Sequence, residues 1–146
     1  SEEELKDSLL EQVSASSKVD VPDAMLRREV DAMIGELEIN LKHQGLTVDS
    51  YIKSRRIDMS ALRKELSASA ASRVKAKLVL KAVADKEKLE FTEDDLAAEL
   101  KILARDAGTS DAELMQRDGI REYIKDYVLR RKALDFIVEN AKIKEK

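Results

Sequence analysis

Few side chains in this sequence could carry out chemistry. It contains one histidine, His43, and no cysteine, which excludes thiol catalysis, disulfides and thiolate metal sites. It has no glycine-rich phosphate loop, zinc-protease helix motif or nucleophile elbow. His43 stands near the predicted end of a helix, where a lone histidine usually interacts with the helix dipole. We therefore expect no catalytic residue, no metal site and no cofactor.

Paired acidic residues are the remaining candidates for acid–base chemistry. They are Asp94–Asp95 and the run Glu2–Glu4. Both groups fall in the first turn of a predicted helix, where the positive end of the helix dipole stabilises carboxylates. We interpret them as helix-start signals rather than as a catalytic pair.

The composition is that of a helical protein with an aliphatic core. Charged residues make up 39% of the 146 residues and aromatic residues 3%, with one proline and four glycines. The length suits one domain. There is no signal peptide and no run of about 18 apolar residues. We expect an all-α protein that is located in the cytoplasm and has no membrane partner.

Charge is distributed unevenly along the chain. Residues 1–49 carry twelve acidic and five basic residues, whereas residues 53–81 carry nine basic and two acidic ones. Such a basic stretch would suit an anionic partner. It lacks interleaved aromatic residues and a helix-turn-helix pattern, however. We therefore expect the acidic and basic helices to neutralise each other, without direct contact to nucleic acid.

Hydrophobic periodicity and capping signals predict a chain of helices joined by short connections. The longest, from Asp58 to about Lys88, has an apolar residue at every fourth position from Leu62 to Ala82, and either Asp58 or Ser60 caps it. Tyr123 and Tyr127 are predicted on the inner face of the last helix. The predicted helices cover residues 2–16, 22–44, 48–56, 58–88, 93–107, 111–118 and 120–141.

Four phrases, in this order, resemble the C-terminal chaperone domain of bacterial trigger factor. The first is VDVPDAML at residues 19–26, followed by EVD at 29–31. The second is GLTVDSY at 45–51, and the third is RVK at 73–75 with an aliphatic run after it. The fourth is the ending ENAKIKEK at 139–146. Each phrase is weak alone, but together they span nearly the whole chain in the family's order.

The resemblance implies an elongated all-helical domain with a body and two protruding arms that form a cradle. When this architecture is transferred to the sequence as a single domain, the body comprises residues 1–21 and 132–146, arm one comprises 22–88 and arm two comprises 91–131. The implied function is that of an ATP-independent chaperone, which holds unfolded or nascent polypeptides in the cradle, prevents their aggregation and assists folding.

The family's ribosome-docking and prolyl isomerase domains are not present in this sequence. The resemblance therefore attributes no isomerase activity to this chain, and ribosome contact only through the other domain. The expected partners are unfolded or nascent polypeptides, and a homodimer is kept open. One alternative is a helical scaffold or dimerisation module that docks one specific partner. Another is a periplasmic chaperone with similar arms.

Client contact is expected near the Gly108 turn of arm two, because a protruding tip there has few neighbours to cover it. The apolar residues around this turn are Leu96, Leu100, Leu103, Leu114 and Met115. The alternative is that these five side chains only seal the helix hairpin of arm two. The candidate substrate-binding residues are Leu96, Leu100, Leu103, Leu114, Met115, Ile52, Met59, Leu62 and Tyr123.

Overall fold

A computed structural model describes residues 1–145, and all the regular structure in this range is α-helical. It contains seven helices: α1 Glu2–Ser16, α2 Asp23–His43, α3 Val48–Ser54, α4 Met59–Lys86, α5 Glu93–Ala107, α6 Asp111–Met115 and α7 Ile120–Lys144. The predicted all-α class is confirmed. None of these helices is long and apolar enough to cross a membrane. Lys146, the last residue of the predicted body, lies outside the described range.

The chain divides into two compact units. The first, residues 17–76, contains α2, α3 and most of α4. The second combines Ser1–Ser16 with the chain from Lys77 onward, and so contains α1, the end of α4, and α5 to α7. The boundary falls inside α4. The predicted assignment of body, arms and cradle remains a prediction.

Side chains at the predicted caps begin four of the helices. Of the two candidates for α4, Asp58 is the cap, because its Oδ1 accepts a hydrogen bond from the backbone N–H of Ala61 at 2.8 Å. At α5 the bonds are reciprocal: Thr92 Oγ1 accepts from the N–H of Asp95, whose carboxylate accepts from the N–H of Thr92. The four capping residues are Thr47, Asp58, Thr92 and Ser110.

Glycines in the left-handed conformation follow α2 and α5, with φ of 74° at Gly45 and 68° at Gly108. After α2, the N–H of Gly45 donates to the carbonyl of Lys42, and the N–H of Leu46 donates to that of Leu41. These bonds satisfy carbonyls that the helix end would leave unpaired. Gly45 was predicted as a left-handed cap, and the structure confirms it.

Some predicted helix boundaries are wrong by a few residues. Pro22 precedes α2 instead of beginning it, because its ψ of 138° is extended. The sequence predicts helix through Arg56 and Lys88, but both residues have positive φ, 58° and 53°, so α3 and α4 end earlier. At the other end, α7 extends to Lys144, three residues beyond the predicted Ala141.

In the unit of residues 17–76, ion pairs join the acidic α2 to the basic α4. Arg63 Nη1 lies 2.8 Å from Asp31 Oδ1, and Arg73 Nη1 lies 3.0 Å from Glu36 Oε1. These contacts confirm that the two helices neutralise each other. The buried apolar residues of this unit are Val30, Leu41, Leu62, Ala70 and Val74.

The predicted apolar stripe of α4, with one residue at every fourth position, drifts around the helix and so leaves its buried side. Leu62, Leu80 and Ala84 are buried, whereas Ala82, predicted on the same stripe as Leu62, is exposed. The reason is geometric, because successive residues are about 100° apart on a helix of 3.6 residues per turn. Residues 62 and 80 therefore point the same way, and residue 82 lies roughly 200° from 62.

The second unit contains two separate apolar clusters along α7. The α5–α7 cluster consists of Leu96, Leu100, Ala104, Leu114, Ile124 and Val128. The α4–α7 cluster is built on Leu80, Ala84 and Ala133. The first half of α7 thus packs on α5 and α6, and its second half packs on the end of α4. Lys6 of α1 adds an ion pair to Asp135 at 3.7 Å.

Candidate functional site

Three of the nine predicted site residues lie in the unit of residues 17–76, and they differ in exposure. Leu62 is 2% exposed and belongs to the core, Ile52 is half-buried, and Met59 is 39% exposed. Met59 is therefore the member of this group whose side chain a partner could reach. The assignment of the other two residues to a binding surface remains a prediction.

Met59 lines an open groove of about 500 Å³. The groove is bordered by the second half of α2, the turn after it, and the first residues of α3 and α4. Four of its lining residues are large and apolar, and three are polar or charged. The lining consists of Ile34, Leu46, Val48, Met59, Thr47, Glu38 and Lys42.

The groove carries one acidic and one basic side chain, Glu38 and Lys42, one turn apart on α2. Within residues 1–145, neither lies at ion-pair distance from an opposite charge. Both side chains are exposed, so water solvates them in the free protein. A polypeptide in the groove would therefore meet apolar surface together with one charge of each sign.

Arg55 positions α3, whose first residue Val48 lines the groove. Its guanidinium donates two hydrogen bonds to the carboxylate of Glu65 on α4, at 2.8 and 2.9 Å, and lies 5.4 Å from the ring centre of Tyr51. These hydrogen bonds lower the pKa of Glu65 and raise that of Arg55. The bidentate contact between Arg55 and Glu65 thus holds the end of α3 against α4.

The other six predicted residues lie in the second unit, and five of them come together. Leu96, Leu100 and Leu114 belong to the α5–α7 cluster and are 6%, 9% and 4% exposed. Leu103 and Met115 are half-buried against the same cluster. This arrangement favours the alternative in which these side chains seal the hairpin of α5 and α6. Their contact with clients stays a prediction.

Tyr123 and Tyr127 do not face the core as the sequence predicts. They are 59% and 44% exposed, whereas the neighbouring Ile124 and Val128 are fully buried. The pairs differ by one position, which is about 100° around a helix. The guanidinium of Arg131 lies 5.8 Å from the ring centre of Tyr127. Among the six predicted site residues of this unit, all of which lie within residues 1–145, Tyr123 is thus the only one that is exposed.

The acidic pair at the start of α5 acts as a helix-start signal. Asp95 Oδ2 accepts hydrogen bonds from Lys132 Nζ at 2.7 Å and from the N–H of Thr92 at 2.9 Å. These contacts, the one from Lys132 above all, lower the pKa of Asp95 to about 2. It therefore has no proton to donate near neutral pH. In residues 1–145, no group of three or more acidic or histidine side chains could hold a metal ion.

Several exposed apolar residues were not among the predicted site residues. Leu46 follows the cap glycine Gly45, and its place in the groove depends on the fold of the turn. Ile39 and Ile102 lie off the inner stripes of α2 and α5, a pattern that could have identified them from sequence. The large apolar residues that are exposed and lie outside the predicted set are Leu5, Ile39, Leu46, Ile102, Tyr127 and Ile143.

Comparison with known proteins yields concordant matches. Residues 1–139 match the family model described as the bacterial trigger factor protein C-terminus. The chain is 32% identical over 145 residues to trigger factor of Clostridium kluyveri, covering 97% of this chain and 34% of that protein. It is 34% identical over 142 residues to trigger factor of Acetivibrio thermocellus, covering 96% and 33%. The chain thus spans about a third of the length of these relatives.

A solved structure of trigger factor domains from Thermotoga maritima has a similar fold. The two superpose with a TM-score of 0.63 at 22% sequence identity, over 94% of this chain and 81% of the other.

Proposed function

Because the chain belongs to the family of bacterial trigger factor C-terminal domains, we propose that it is an ATP-independent chaperone module that binds unfolded or nascent polypeptide segments in the cytoplasm. It holds them through apolar side chains and so prevents their aggregation and assists folding. The observation that supports this most directly is the groove around Met59, which is apolar, open and bordered by charged residues.

The chemistry of the groove suits partners of varied sequence. Its apolar lining is aliphatic and includes the flexible thioether of Met59, which adapts to differently shaped side chains. It offers few polar groups that would reject a mismatched partner. The charged side chains Glu38 and Lys42 at its border keep the surface hydrated when no partner is bound.

The expected affinity is weak and reversible. Burying one large apolar side chain contributes roughly 1.5–3 kcal/mol. A segment that buries two or three of them gains roughly 3–9 kcal/mol before the cost of ordering the chain. This corresponds at best to a dissociation constant near the micromolar range. Such binding allows release without ATP, and several weak contacts along one client would raise the total affinity.

The proposal also covers the cradle, contact with the ribosome and self-association. A cradle between arms made of residues 22–88 and 91–131 would place more than one apolar surface beside a client. Contact with the ribosome is proposed only through a domain outside this sequence. A homodimer remains an alternative assembly.

Suppression of aggregation tests the proposal. We expect the chain to reduce light scattering from two unrelated unfolded proteins, without ATP, at comparable molar ratios. The double variant Leu46→Ser with Met59→Ser should weaken this holding several-fold, because it removes two apolar walls of the groove. The matched control is Ile39→Ser, which removes an exposed side chain of α2 that does not line the groove.

The outcomes separate the proposal from its alternative. Circular dichroism must show the same helix content in all variants. Protection of both clients by the chain, lost in the double variant but kept in the control, supports the groove as a client site. If the double variant and the Ile39→Ser control protect the clients equally well, the groove is not the client site. Saturable binding to one partner, with no protection of unrelated clients, would identify a scaffold instead.

A further inference from the structure

Three ion pairs flank the contact between α5 and α7, and all have the same polarity. The acidic residues Glu93, Asp95 and Glu99 lie on α5, and their partners Arg121, Lys132 and Arg131 lie on α7. All the negative charge of these contacts is therefore on one helix and all the positive charge on the other. Attraction of this kind favours the closed contact. Salt weakens it most at the exposed pair Glu93–Arg121, and less at the two pairs whose carboxylates, Asp95 and Glu99, are mostly buried.

Lys132 also holds the connector that leads from α4 to α5. Its Nζ donates to the backbone carbonyl of Glu90 at 2.6 Å and to Asp95 Oδ2 at 2.7 Å. Glu90 stands between Leu89, which packs on the α4–α7 cluster, and Phe91, which packs on the α5–α7 cluster. The ammonium group of Lys132 on α7 thus binds the connector at the point between the two clusters. It also binds the first turn of α5 through Asp95.

The hairpin of α5 and α6, residues 93–115, has non-helical chain at both ends. Residues 87–92 precede it, and residues 116–119, ending at Gly119 with a φ of 75°, follow it. Its buried apolar side chains belong to the α5–α7 cluster and none belongs to the α4–α7 cluster. A segment that is joined to its neighbours by non-helical chain and is held mainly by one apolar cluster can open while the rest of a protein stays folded.

We propose that the α5–α6 hairpin opens from α7 as a separate cooperative unit, and that the three ion pairs, with Lys132 at the connector, form a latch that sets how often it opens. Opening exposes Leu96, Leu100 and Leu114, which are buried in the closed form. It is a property of the chain itself and occurs whether or not a client binds.

Hydrogen exchange of the intact chain, measured by mass spectrometry, tests the latch. Lys132→Met keeps an aliphatic stem of similar length but removes the ammonium. We expect it to speed exchange in residues 93–115 by about tenfold, equivalent to about 1.4 kcal/mol, while α1 and residues 77–86 change less than about twofold. The matched control is Lys125→Met on the same helix, because Lys125 forms no ion pair within residues 1–145.

A second measurement keeps the test independent of how well the variant folds. In the unmodified chain, raising the salt from about 0.05 M to 0.5 M shortens the Debye length roughly threefold, and it should speed exchange in residues 93–115 selectively. Equal acceleration in α1 and residues 77–86 would show that the hairpin does not open separately. No difference between Lys132→Met and Lys125→Met, or no selective effect of salt, would overturn the latch.

Discussion

Replacement of Leu114 by alanine should loosen the α5–α6 hairpin strongly. Leu114 is 4% exposed and packs in the α5–α7 cluster with Leu100 and Ile124. The substitution removes three carbon atoms, worth about 0.8 kcal/mol each in transfer free energy. The cavity left behind adds to this loss, and buried Leu→Ala changes cost about 2–5 kcal/mol. We therefore expect a loss of about 3 kcal/mol.

Hydrogen exchange of the amides in α5 and α6 measures this loss where it occurs. A loss of about 3 kcal/mol corresponds to roughly 150-fold faster exchange through the open state. The matched control is Ile102→Ala in the same hairpin, because Ile102 is 43% exposed. We expect the control to change exchange by about twofold, as is usual for surface positions.

The same pair of variants also separates the two interpretations of Leu114. If it seals the hairpin, exchange accelerates as described. If it contacts clients from an accessible position, holding of unfolded proteins falls while exchange changes little. Acceleration below about fivefold, or an effect equal to that of Ile102→Ala, would refute the reasoning from burial.

Three further outcomes are expected. Asp58→Ala should lower stability by about 1 kcal/mol in thermal unfolding, because it removes the hydrogen bond to the N–H of Ala61; an unchanged melting temperature would contradict this. The pKa of Asp95 is lowered from 3.8 to about 2, so its contribution to stability is present above about pH 5 and is lost as the pH falls from about 4 towards 2. Urea unfolding at stepped pH should show that fall, and Asp95→Asn should reduce it; equal falls would count against the contact with Lys132. Finally, a proline-containing peptide should isomerise at its uncatalysed rate in the presence of this chain, and acceleration by a pure sample would contradict the expectation.

Local signals in the sequence determined most of the helices and many of their ends. Thr92 and Ser110 were identified as caps because a cap acts on a backbone group only a few residues away. Gly45 was identified because its left-handed conformation is a property of one residue. Arg56 and Lys88 adopt the same conformation without being glycine. The sequence therefore predicts the corresponding helices too long.

The tertiary structure decided which apolar side chains are exposed. The sequence makes both Leu114 and Met59 candidate substrate-binding residues, yet one is 4% and the other 39% exposed. Periodicity predicts Tyr123 on the inner face of the last helix, but Tyr123 is exposed and the neighbouring Ile124 is buried. Exposure depends on which helices pack against a face, and those helices are distant in the sequence. The spacing of residues within one helix therefore cannot determine it, whereas a cap or a turn is complete within a few residues.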